Sequence, residues 1–149
     1  MRRLRKFVGL SRSDRLLLLE AWLYLGAARA ALLLVPFRRI ATHLGQQLMA
    51  QNEAPPDLPP PPAARNIAGA VETMSYHTPW ESACLAQTIA GKFMLKQRGI
   101  PSRLYLGTKK DEAGNLTAHA WLQAGNEIVI GGAGHQTFVV LSAFGDPAG

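Results

Sequence analysis

Cysteine is almost absent: Cys84 stands alone among 149 residues. An intramolecular disulfide is excluded, which suits a reducing compartment. Acids are few as well, ten against sixteen lysines and arginines, leaving a net charge of +6. The four histidines, His43, His77, His119 and His135, are scattered and make no set at zinc-ligand spacing. Gly131-Gly132-Ala133-Gly134 is glycine-rich but lacks the Gly-Lys-Ser/Thr that cradles phosphates. No metal and no nucleotide cofactor are expected. A chain of this length holds one modest domain with appendages.

The positive charge is uneven. Arg2, Arg3, Arg5, Lys6, Arg12 and Arg15 crowd the start of the chain, a cluster suited to nucleic acid, anionic lipid or an acidic protein. It lacks the interleaved aromatics of a base-stacking platform, so no nucleic-acid partner is expected. The apolar run from Leu16 to Val35 is long enough to span a bilayer. Glu20 and Arg29 lie inside it, and each charge near a bilayer centre costs about 2.5–3.5 kcal/mol. Asp14, Arg15 and Glu20 also interrupt the handover from basic to apolar that a signal peptide needs. The run therefore reads as a helix over about Asp14 to Val35, capped by Ser11 or Ser13. It is expected to be buried or docked in a soluble protein, with a membrane surface as the less favoured contact.

Val35-Pro36 should break that helix. Phe37, Ile40, Ala41, Leu44 and Leu48 then recur at helical spacing, predicting a second helix from Phe37 to Leu48. Prolines dominate residues 55–62 and predict an extended spacer. The expected organisation is an N-terminal helical segment over 1–50, a proline-rich linker over 51–65 and a core domain over 66–149. In that core Ile67, Ala70, Val71 and Met74 mark a short amphipathic helix, and Leu85, Ile89 and Phe93 stripe another. Gly99 and Pro101 end the second. A strand is expected over Arg103–Leu106 and a polar turn over Lys109–Asn115. Leu116 to Gln123 alternates, with Leu116, Ala118, Ala120 and Leu122 on one face and Thr117, His119, Trp121 and Gln123 on the other. Gly125-Asn126 is a hairpin signal before strands over Glu127–Ile130 and Thr137–Leu141. The fold class is α+β: a cysteine-bearing helix on a small antiparallel sheet, preceded by N-terminal helices.

Cys84 follows Thr78-Pro79-Trp80-Glu81-Ser82-Ala83, a helix start. Thr78 with Glu81 makes a capping box with proline at the first helical position. Ser82 as the cap is preferred, since Cys84 then falls in the first turn, where amide groups and the helix dipole favour a thiolate. A lone cysteine is most often a small buried hydrophobe. A histidine on a following strand raises the catalytic reading. His119, on the polar face of its strand, looks at solvent or at a cleft. A cysteine helix packed on one face of the sheet favours the cleft.

Ser82-Ala83-Cys84-Leu85, the run from Lys96 to Gly107 with its Arg98-Gly99-Ile100-Pro101, and Ala118-His119-Ala120-Trp121-Leu122 together resemble the papain/transglutaminase-like cysteine hydrolases. More narrowly they resemble the leader peptidases of lasso-peptide biosynthesis, as do Leu16-Leu17-Leu18-Leu19-Glu20-Ala21 and Pro36-Phe37-Arg38-Arg39. The resemblance implies a cysteine-type peptidase of the bacterial cytoplasm, peripheral to the membrane at most, with no cofactor. Cys84 is then the nucleophile and His119 the general base. It also implies a precursor peptide as substrate, a separate leader-recognition protein and a lasso cyclase as partners. The family's orienting aspartate is missing, for its place falls on Gly131 or Gly132, and Glu127, Asn126, His135, Gln136, a backbone carbonyl or water is left to hold the ring. Another acyl-transfer enzyme on the same scaffold, a transglutaminase or amidase, and a catalytically weak peptide-binding adaptor are the alternatives.

Overall fold

The computed structural model describes residues 11–44, 46–48, 58–76 and 84–145. Helix α1 runs over Arg12–Leu34. Ser11 caps it by accepting the Asp14 amide at 3.2 Å, and it ends where Val35 turns extended ahead of Pro36, as a residue before proline should. Helix α2 covers only Phe37–His43. The expected continuation to Leu48 gives way to a short strand, β1 (Gln46–Leu48), paired with the last strand of the chain. Tertiary pairing overrides the local helical spacing there.

Helix α3 (Pro62–Ser75) begins with Pro62 in its first turn, where proline's missing N–H costs nothing. The last prolines of the run therefore open a helix. Just before them Pro60 is buried, and the Leu58 carbonyl accepts the Asn126 amide at 2.7 Å, so this end is packed against the hairpin turn. The rest of the expected linker, residues 51–57, lies outside the described residues. Helix α4 is Cys84–Gln97. Strands β2 (Arg103–Lys110), β3 (Leu116–Ala124) and β4 (Glu127–Ile130) follow, then a 3₁₀ turn at His135–Thr137 and strand β5 (Val139–Gly145). The sheet is antiparallel with order β1-β5-β2-β3-β4.

Helices cover one face of that sheet. Leu104, Leu122, Ala124, Ile130 and Phe144 join Leu25, Ile67, Val71, Ile89, Met94 and Leu95 in one core. Helix and sheet approach closely because Gly91 has no side chain: a Cβ there would fall 2.6 Å from Ile130 Cδ1 and 3.1 Å from Leu122 Cδ2. Helix α1 packs on α3 and α4. Arg98, at the end of α4, donates to both carboxylate oxygens of Glu20 at 2.8 and 2.6 Å, and Tyr24 donates to Gln97 Oε1 at 2.6 Å. The length and apolarity of α1 would let it cross a membrane, yet one of its faces is committed to this core.

Lys92 is fully buried in α4. Its ammonium donates to the Ser102 carbonyl at 2.8 Å and to Ser102 Oγ at 3.1 Å, fixing the turn after α4 to the helix and setting where β2 begins. Lys92→Ala removes that donor and opens a cavity, so a loss of about 3 kcal/mol is expected in chemical denaturation. An unchanged midpoint would mean that the Ser102 contact contributes nothing.

Candidate active site

Cys84 is the first described residue of α4 and carries a free, half-buried thiol. The expected caps, Thr78 and Ser82, lie outside the described residues. The thiol borders a cavity of about 330 Å³ lined also by Phe37, Leu85, Leu106, Thr108, His119 and Leu141. Gly107, Ala118 and Ala120 complete the lining, and the small alanines leave room for a substrate chain over the sheet. Cys84 and His119, picked out from the sequence, thus line one cavity.

They are not joined in it. Among the described residues no hydrogen bond links Cys84 Sγ to the imidazole. Strand alternation gives the reason. Leu122 meets Gly91 of α4, so the helices cover the face of Ala118, Ala120 and Leu122. The odd-numbered residues point the other way. His119 stacks on Trp121 with centroids 5.9 Å apart and lies 5.1 Å from Phe138, while Trp121 stacks on Tyr105 at 5.7 Å. The expectation that the cysteine helix would cover the histidine's own face is corrected: burying the fully apolar face is more favourable, and Phe138 and Trp121 flank the ring instead. Gly107, opposite His119, admits this packing, because a Cβ there would sit 2.9 Å from the Trp121 ring and 3.0 Å from Phe138 Cβ.

The ring has one polar partner, the Gly131 carbonyl at 2.7 Å from Nε2. A carbonyl only accepts, so Nε2 carries the hydrogen and Nδ1 keeps the lone pair of a base. The third position is therefore filled by backbone. The ladder leading to Gly131 is interrupted by a bulge: Ile130 pairs with Leu122 but Ile128 with Gln123, leaving Val129 as an extra residue. On an unbroken ladder from the Gly125-Asn126 turn, Gly132 would face His119. Gly131 has φ +73°, and a Cβ on it would lie 2.6 Å from the Ala120 carbonyl oxygen, so only glycine fits.

The side chains weighed as orienters are engaged elsewhere or point elsewhere. Glu127 makes a bidentate pair with Arg65 of α3, whose hydrogen bonds hold its carboxyl below the usual range. His135 Nδ1 bonds the Gly132 carbonyl at 2.8 Å and its ring lies beside Trp121. Asn126 and Gln136 are exposed. Phe138 and Phe37 were not singled out as site residues, although each is a large apolar side chain next to a break in regular structure. Lys92 gave no signal, since a lysine in a helix reads as surface. Among the described residues no cluster of His, Cys, Asp or Glu could hold a metal ion.

The sequence profile of the Transglutaminase-like superfamily matches residues 31–143. No curated protein matches the chain, and no solved structure does. The profile runs from the last turn of α1 into β5, including Cys84, His119 and the residues that line the cavity at Cys84, and the chain belongs to the transglutaminase-like superfamily.

Proposed function

We propose that the chain is a cysteine-dependent acyl-transfer enzyme and, more finely, the peptidase that removes the leader from a ribosomally made lasso-peptide precursor. The observation that carries the reading is the shared cavity of Cys84 and His119, with Nε2 of His119 bound to a carbonyl and Nδ1 left as the base. In the reaction Nδ1 takes the thiol proton, Sγ bonds the scissile carbonyl carbon, and the leaving amine receives that proton as the C–N bond breaks. Water then attacks the thioester carbon, its proton passing to the same nitrogen; the C–S bond breaks, the acid leaves and the proton returns to Sγ. Because the imidazole packs on Trp121 and Phe138, on the face of β3 away from α4, this step requires a rearrangement on substrate binding that brings Nδ1 and Sγ to one side of the strand. The sequence resemblance supports the leader–core junction as substrate, and a separate leader-recognition protein and a cyclase as partners in a bacterial cytoplasm.

A second reading has its own observation. The imidazole faces away from α4, which suits a peptide-binding adaptor with an idle site. Iodoacetamide labelling of Cys84 at mildly acidic pH separates the two. An enzyme is expected to label faster than a free thiol, and His119→Ala to slow it by about tenfold or more. Equal, slow labelling of both forms supports the adaptor. Product analysis with an added amine then distinguishes the peptidase, which yields the acid, from a transglutaminase, which yields the amide.

A further inference from the structure

Helix α1 buries one face and leaves another bare. Ala21, Leu25 and Ala28 are buried, while Leu16, Leu19, Leu23, Leu33 and Leu34 expose 57%, 49%, 63%, 66% and 82% of their surface. Leu16, Leu19, Leu23, Ala27, Ala30 and Leu34 follow one another every three or four residues, and all are exposed. They form a single apolar stripe, about 27 Å long at helical rise. Contiguous exposed apolar surface of this kind marks an interaction site.

The charges around the stripe narrow down what covers it. Arg12 is exposed at its start, Arg38 and Arg39 just past its end, and Arg2, Arg3, Arg5 and Lys6 precede it in sequence. Glu20 flanks the stripe, but its carboxylate is neutralised by the bidentate pair with Arg98. Beside the stripe a groove of about 570 Å³ is lined by Ala27, Ala31, Val35, Ile40 and Phe93, with Arg39 and His43 as its basic members. Apolar surface between cationic ends complements an anionic lipid interface, where acyl chains lie beneath a layer of phosphates. A second copy fits poorly: whether the stripes pair parallel or antiparallel, arginine meets arginine. A membrane crossing is excluded by the packing of the opposite face on α3 and α4.

We infer that α1 seats this protein on an anionic bilayer, with the leucine stripe in the acyl boundary and the arginines on headgroup phosphates. Seating is independent of the chemistry at Cys84. Co-sedimentation of the full chain with phosphatidylcholine vesicles, with and without phosphatidylglycerol, tests it. Binding is expected to the anionic vesicles and to weaken with salt. Arg38→Ser with Arg39→Ser should lower the partition by about 25-fold, since each basic residue near such a surface contributes about fivefold. Leu19→Glu with Leu23→Glu should lower it at least as much, with the helical circular dichroism unchanged. Because the arginine pair is exposed, its variant keeps the test open should the glutamate variant fold poorly. Equal binding to neutral vesicles, no binding at all, or unchanged binding in the arginine variant overturns the inference. A dimer in vesicle-free solution that is lost in the leucine variant assigns the stripe to a second copy and overturns it too.

Discussion

Under the proposed peptidase function, Cys84→Ala should abolish cleavage of a precursor peptide, a fall of at least about 10⁴-fold in the rate of leader release followed by mass spectrometry. The chain has no other thiol, and without one the reaction must proceed by direct attack of water on an amide. That single step is far harder than two passes through a thioester. His119→Ala is expected to cost nearly as much. The double substitution should add little, because nucleophile and base act as one unit and their losses do not sum. Additive losses would mean that the imidazole serves something other than the thiol. Undiminished cleavage in Cys84→Ala would sink the enzyme reading outright.

Gly131→Ala should slow the reaction by about 10²-fold, the scale of a misplaced catalytic group, although residue 131 contributes only a backbone oxygen. The methyl group meets two obstacles. Its φ of +73° is costly for alanine, and its Cβ would lie 2.6 Å from a backbone oxygen that cannot step aside. The loop must shift, taking the carbonyl off Nε2 and releasing the ring to the wrong tautomer. A stability loss of about 1–3 kcal/mol should accompany it. Nitrogen chemical shifts of His119 separate the catalytic effect from the structural one, because only loss of the carbonyl changes the population of the Nε2–H form. Gly132→Ala is the control: its Cβ would meet the side chain of Ile128 at 3.1 Å, which can move. Glu127→Gln and Asn126→Ala, whose contacts go to α3 and to Leu58, should leave the rate within about tenfold of wild type. Equal rates in Gly131→Ala and wild type would show that the carbonyl does not position the base. A carbonyl offers a dipole where a carboxylate would offer a charge, so it fixes the tautomer but stabilises the imidazolium less.

What could be read from the residues depended on how local the signal was. The α1 cap at Ser11 and its break at Pro36, the alternation of β3 and the Gly125-Asn126 turn are each written within a few positions. Each appears in the structure where the residues put it. Strand β1 was misread because Leu44 and Leu48 keep helical spacing while a partner nearly a hundred residues away supplies the ladder. The face of His119 was misjudged for a related reason. Alternation tells which residues share a side, but only the placement of α4 decides which side is covered. The bulge at Val129 left no mark in a run of β-branched residues, and a backbone carbonyl as the group that holds the imidazole has no side-chain signature to read.

Strand β5 lies between β1 and β2, though among the described strands it is made last. The meander β2–β3–β4 can form from neighbouring segments at once. Until β5 arrives, the β2 edge carrying Leu104 and Leu106 is an open template of unpaired amides and carbonyls. Closing it takes contacts of long sequence separation, which form slowly. The interval before β5 inserts is thus when a newly made chain is most exposed to mispairing with its neighbours, and substitutions that weaken Val139–Gly145 should reduce soluble yield before they reduce the stability of molecules already folded.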